Sequence, residues 1–374
     1  MARAVVAQRL PPEIVDNIAD GNRGDRRSLA ASSLVCKTWL QSNRYHLFSE
    51  FDVYVGPNVG ASFLQLLHHP LCTFVYCIRS ISIYPGSPDA LGVAGLGDGT
   101  VTALANLKHV TSLRIHNHRG FISKPVLTLL TSAFGEVTSL RLRNSFPSFH
   151  DAIEFFTAFP ALKTLDFDSW CVGASPATVP DTLPPPATLS VIQLHSPFKD
   201  MSWFLDHHHR FPSLTLSEIA DKNFPVVDHT LKTFGPDLHT LSLRFKEREI
   251  SASPPSRFCQ LDFLSNTRLT SLELEVPDGD LSVVFLFLQN LRLPTVQVLR
   301  WNFGRANRLY VLYGAVPSEA DAKLADRQSF KCLGQLEFMT RYGIEGASHS
   351  LSLLQQKSYP KAAAVGIAII HRYV

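Results

Sequence analysis

An α/β fold is predicted for this chain: a small N-terminal unit of three helices, then an irregular solenoid of strand-and-helix repeats with parallel strands on its concave face. Three observations predict it. Apolar side chains crowd the first fifty residues at helical spacing, a short apolar pattern recurs ten times beyond residue 75, and the distances between recurrences centre on one value. A fixed period of a few tens of residues marks a repeat architecture. At 374 residues the chain exceeds the roughly 100–200 residues of one domain, which suits such an array. With 45% hydrophobic and 18% charged residues it has the composition of a folded protein.

The first helix is read from "LPPEIVDNIA", Leu10 to Ala19. Proline costs little there because the first amides of a helix have no intrahelical partner, and Glu13 suits the positive end of the dipole. Ile14, Val15 and Ile18 are placed on one face, and Gly21 ends the helix. A second helix starts at Asp25, a good cap residue, and runs through "RRSLAASSLVC", presenting Leu29 and Leu34; a third carries Trp39 and Leu40. Three helices in about fifty residues are marginal as a free-standing domain. Their surplus apolar surface implies a partner.

The two segments "LPPEIVDNIA" and "LAASSLVCKTWLQSNRYHLF" together resemble an F-box of the form common in large fungal families, over about residues 9 to 48. The family pattern L-P-x-E-[IL]-x-x-x-I is met at Leu10, Pro11, Glu13, Ile14 and Ile18, and S-L-V-C-[KR]-x-W at Ser33, Leu34, Val35, Cys36, Lys37 and Trp39. The resemblance implies docking onto the Skp-type adaptor of a cullin-RING ubiquitin ligase, with Leu10, Pro11, Ile14, Ile18, Leu34, Val35, Lys37 and Trp39 at the interface. Where the family usually continues after Ile18 with a bulky apolar residue and a nearby Leu, this chain has Ala19, Asp20, Gly21, Asn22, Arg23 and Gly24, which implies a weakened adaptor contact. The plainer reading of the same helices is a cap that shields the first repeat.

The recurring pattern is apolar, two residues, apolar, one residue, apolar. Its middle anchors are Ile81, Leu113, Leu140, Leu165, Ile192, Leu214, Leu241, Leu272, Leu299 and Leu336, and 27 residues separate four of the nine neighbouring pairs. The last two anchors alternate with polar residues, as on a short strand with one buried face. Eight of the ten residues just before the middle anchors are polar, a constancy that unrelated core strands would not produce. Between them lie segments at helical spacing: Ser148 to Phe159, Asp200 to Phe211 and Asp280 to Leu291. Strand then helix, repeated, gives parallel strands joined by right-handed crossovers, and the repeats must stack to bury both elements. From about residue 75 to 343 the pattern L-x-x-L-x-L resembles the leucine-rich repeat family, with His118, Ser145, Trp170 and Pro197 where that family usually has Asn or Cys. The resemblance therefore implies an irregular solenoid without the usual Asn ladder.

The expected organisation is a three-helix unit over residues 1–50, the repeats over 51–345, and a tail over 346–374 that ends the array as a terminal strand or helix. A net charge of +3 without runs of like charge gives no nucleic-acid footprint. No apolar run approaches the roughly 20 residues of a membrane span. The six cysteines contain no C-x-x-C pair and read as reduced thiols, and with no secretory h-region or N-x-[ST] sequon the expected compartment is cytoplasm or nucleus. His68, His69, Cys72 and Cys77 lack zinc-ligand spacing; "GVAGLGDGT", Gly92 to Thr100, reads as a loop, and Pro184, Pro185 and Pro186 as an extended connector. No cofactor, metal or catalytic motif is expected, which leaves an undetected hydrolase behind two binding readings: a ligase substrate receptor, or a scaffold unconnected to ubiquitin. The outward strand positions are the expected site for a protein target: Arg114, His116, Arg141 and Arg143, then Asp166 and Asp168, then Arg244, Glu273, Glu275, Arg300 and Glu337. The competing view of these residues is a solvated sheet face.

Overall fold

The computed structural model describes residues 10–55, 65–67, 69, 72–85, 104, 106–121, 124–168, 170–171, 183–195, 201–207, 210–246, 261–275, 288, 291–302, 318–340 and 359–373. Helix α1 (Pro12–Gly21) begins on proline and buries Val15 and Ala19, an i, i+4 pair. Ile14 and Ile18 point to solvent, so Val15 parts from the two residues that the spacing groups with it. Asn22 closes α1: its backbone N–H donates to Ile18 and Ala19, and its side-chain amide donates to the Ile18 carbonyl at 2.8 Å.

Helix α2 (Arg26–Ser32) starts where expected. The Asp25 carboxylate accepts from the backbone N–H of Arg27 at 3.0 Å and of Ser28 at 3.1 Å. The Ser28 hydroxyl, then the Ser28 N–H, holds Asp25 below the ordinary carboxylate range, so this cap is lost as pH falls through its lowered pKa. The helix stops at Ser32, short of Cys36. Ser32 and Ser33 turn their hydroxyls onto the carbonyls of Ser28 and Ala30, at 2.8 and 2.6 Å, and such bonds compete with helical geometry. Leu34 and Val35 consequently sit in a turn ahead of α3 (Lys37–Phe48), which packs on α1 and α2.

Among the described residues thirteen strands follow: β1 (Glu50–Val55), β2 (Ser80–Pro85), β3 (Ser112–Phe121), β4 (Ser139–Phe146), β5 (Thr164–Phe167), β6 (Trp170–Cys171), β7 (Val191–Leu194), β8 (Ser213–Ile219), β9 (Thr240–Phe245), β10 (Ser271–Glu275), β11 (Val298–Asn302), β12 (Gln335–Thr340) and β13 (Ala368–Tyr373). Each of the ten predicted patterns forms one of them. The chain divides into two compact units, Met1–Lys163 with Ser169–Thr188 and Thr164–Asp168 with Leu189–Val374. In the first, β1 to β4 pair in sequence, all parallel, and β6 joins the end of β4. In the second, β5 and β7 to β13 pair in sequence, again all parallel.

Register carries the repeat into three dimensions. In the first unit Ile81, Leu113 and Leu140 are direct partners, and in the second the row runs Leu165, Ile192, Leu214, Leu241, Leu272, Leu299, Leu336. All ten are buried. Carbonyls two residues before the anchors tie successive strand entries together: Arg79 O accepts from Thr111 and Ser112 at 2.9 and 3.0 Å, and Thr111 O from Thr138 and Ser139 at 2.8 and 3.0 Å. The second unit repeats this at Pro212, His239, Thr270 and Gln297. A side chain at that point need only be tolerated in solvent, and Thr138 and Thr270 add their hydroxyls to the same carbonyls.

Among the predicted helices, Ser148 to Phe159 is realised as Phe149–Thr157, with the Ser148 hydroxyl accepting from the Asp151 N–H at 3.2 Å and Ile153, Phe156 and Phe159 buried. Asp200 to Phe211 gives the shorter Met201–Asp206, while most of Asp280 to Leu291 lies outside the described residues, as does Gly92 to Thr100. No helix among the described residues is long and apolar enough to cross a membrane. The tail contributes both a helix, Pro360–Ala364, and β13, parallel to β12. Gly366 turns the chain between them at a φ of 85°, a left-handed conformation that glycine adopts without strain. The buried Asp321 carboxylate accepts from the N–H groups of Lys361 and Ala362, both at 2.9 Å, and so caps that helix. Asp321→Ala leaves two amides without acceptors, at a cost of about 1–3 kcal/mol. Amide exchange should then quicken in Ala368–Tyr373 ahead of the rest of its unit; unchanged exchange there would separate the cap from the strand.

Candidate protein-docking surfaces

The helical unit is held from inside by Val15, Ala19 and Leu29, and Asn43 of α3 is fully buried with its amide donating to the Trp39 carbonyl at 2.8 Å. Phe48 stacks on Phe74 with ring centroids 5.0 Å apart, and Ser49 O accepts from the N–H groups of Arg79 and Ser80. This internal packing leaves a second apolar set in solvent. Leu34 is 85% exposed and Val35 68%, and Leu10, Ile14, Ile18 and Tyr45 are also exposed. Pro11 and Lys37 are exposed and Trp39 is half-buried. The residues expected at an adaptor interface are therefore, Trp39 apart, those that the folded unit does not use for itself. Exposed large apolar residues are the candidates for an interaction surface.

The outward strand residues fall into two different environments. In the second unit they are tied to one another. Asp166 is buried, and His195 Nε2 lies 2.9 Å from its carboxylate; Asp168 is half-buried. Arg244 lies 3.2 Å from Glu275, its register partner on β10. Glu273, Arg300 and Glu337 stand in one row across β10, β11 and β12, where Arg300 pairs with Glu337 and donates to the Ser271 hydroxyl at 2.9 Å. Most of these charges cross-link neighbouring strands.

The first unit presents another chemistry. Arg114 stands beside Arg141 and His116 beside Arg143, in register and half-exposed. Arg141 and Arg143 also engage other groups, while Arg114 makes no ion pair among the described residues. Next to them runs a stack of rings that the repeat pattern does not reveal: Tyr54 on Tyr84 at 5.1 Å and 19°, then Tyr84 on His116 at 4.6 Å and 7°. Tyr54 escapes the repeat pattern because β1 precedes its first match. The available signal was the alternation Phe51, Val53 inward and Asp52, Tyr54 outward.

Among the described residues no group of three or more His, Cys, Asp and Glu side chains is placed to hold a metal ion. Cys36, Cys72, Cys77 and Cys332 are free thiols. No family model matches the chain, and no curated protein matches it. The crystal structure of a protein from Bacteroides fragilis is similar at a TM-score of 0.34 and 14% sequence identity, covering 82% of this chain and 68% of that one. Nothing about function follows from a likeness of that size.

Proposed function

We propose that this chain is the substrate-recognition subunit of a Skp, cullin and F-box type ubiquitin ligase: the helical unit docks the adaptor, the strand-lined repeats hold a protein target, and the chain itself performs no bond chemistry. The observation that carries the reading is the exposure of Leu34 and Val35 in the turn between α2 and α3, together with Leu10, Ile14 and Ile18. Apolar side chains at that density cost solubility unless a partner covers them, and they coincide with the F-box-like motif. Lys37 and Trp39 complete the proposed contact.

A second reading has its own support. Hydrogen bonds from Arg79 and Ser80 to Ser49, and the Phe48 to Phe74 stack, attach α3 to the first strands as a terminal cap would. On that reading the chain is a protein-binding scaffold unconnected to ubiquitin. Size-exclusion chromatography of the full chain mixed with a purified Skp-type adaptor separates the two. Co-elution at micromolar concentration is expected of the ligase subunit, and separate peaks would leave the scaffold.

A further inference from the structure

We infer that the outward face of β1 to β4 takes an acidic protein segment, one rich in Asp and Glu; this rests on the target-receptor reading and names the class of target. Every polar side chain in its two rows can donate a hydrogen bond, and the three arginines only donate. Two rows lie side by side, Arg114 and Arg141 beside the buried Ser82 in one and Tyr54, Tyr84, His116 and Arg143 in the other. The carboxylates on the same face belong to β1, at its edge: Asp52, in register with Ser82, and Glu50, which lies 3.2 Å from Arg23.

Three features make the face a recognition surface rather than a solvated one. Its composition is Tyr and Arg without Lys, the pairing enriched where interface energy concentrates. The rings are already stacked, so little side-chain freedom remains to be lost on binding. Tyr54 is 53% exposed at the open end of the stack, where a further planar or aliphatic group can lie against it. The other unit supplies the contrast: there Arg244 and Arg300 of the same strand face are paired with Glu275 and Glu337. Arg114 has no such carboxylate among the described residues, and an acidic segment would supply one.

The test uses the full chain and two fluorescein-labelled probes, a peptide of alternating Asp and Glu and its Asn and Gln counterpart, followed by fluorescence anisotropy. The acidic probe should bind about tenfold more tightly or better, and the difference should shrink as salt is raised from about 50 to about 300 mM. Arg114→Gln and Tyr54→Ala should each weaken the acidic probe about fivefold or more, Arg114→Lys should keep the salt dependence, and replacing an exposed arginine of the other unit, Arg292→Gln, should change nothing. Equal affinity for both probes overturns the inference. So does unchanged binding by Arg114→Gln and Tyr54→Ala, or displacement of the acidic probe by a uridine oligomer at lower concentration than by unlabelled acidic peptide. Adaptor co-elution is read on the same samples. Adaptor binding without probe discrimination rejects this inference alone, and probe discrimination without adaptor binding rejects the ligase reading alone.

Discussion

Leu34→Asp is expected to raise the dissociation constant for the Skp-type adaptor about a hundredfold while leaving the melting curve in place. The two halves of that expectation have separate causes. Leu34 is 85% exposed in the turn after Ser32 and contributes nothing to the buried set Val15, Ala19 and Leu29, so its replacement changes stability by about 0.5 kcal/mol or less. At an interface the same side chain is an anchor, and losing an anchor costs about 2 kcal/mol or more. A carboxylate pressed into the apolar contact adds its own desolvation, and about 2.8 kcal/mol in all is a hundredfold. Titration calorimetry with the adaptor measures the first half and a thermal melt the second. Arg23→Ala, which removes an exposed ion pair with Glu50, is the control and should move neither. A Leu34→Asp chain that melts early yet still binds would make the motif a structural element rather than a docking surface.

The second large effect concerns Arg300. Glu337 is 1% exposed, and its carboxylate accepts hydrogen bonds from Arg300 and from the Gln335 amide. Arg300→Ala removes a cation that pairs with this buried carboxylate, and breaking such a pair from one side costs about 3–5 kcal/mol. The expected result is a large drop in the urea midpoint of the second unit. Replacing both partners, Arg300→Met with Glu337→Leu, should restore most of it, because apolar side chains of similar volume bring no uncompensated charge. If Arg300→Ala proves no less stable than the wild type, Arg300 is available to a target after all.

How much of this was legible in the sequence differs from element to element. The ten strands and their register were, because Ile81, Leu113, Leu140 and their successors obey one constraint, burial of alternate residues on a stacked strand, and that constraint acts on side chains one position at a time. Strand β1 obeys it too, while in β13 Ile369 and Ile370 are both half-buried; both strands lie beyond the ends of the pattern, where no neighbouring repeat fixes the spacing. The end of α2 was less legible. "SLAASSLV" has helical spacing as far as Leu34, and only the hydroxyl bonds of Ser32 and Ser33 bring it to a stop.

On the strand face, sequence gives the position of a charge but not its partner. Arg244 and Glu275 are 31 residues apart and Arg300 and Glu337 are 37, so each pair exists only once register is set. The blocks of like sign read along the chain become cross-strand pairs in the second unit, while the first retains Arg114 beside Arg141. The same holds for the ring stack. Tyr54, Tyr84 and His116 are about thirty residues apart in sequence and neighbours in space.

Hydrogen exchange of the full chain with and without the Skp-type adaptor tests the central claim most directly. Exchange slows where an interface excludes water and stills the backbone. The ligase reading predicts slower exchange in α1 around Ile14 to Ile18, and in the turn from Ser33 to Lys37, with the strands β1 to β4 unchanged. Slower exchange confined to the strand face, or no change anywhere at an adaptor concentration well above micromolar, would contradict it.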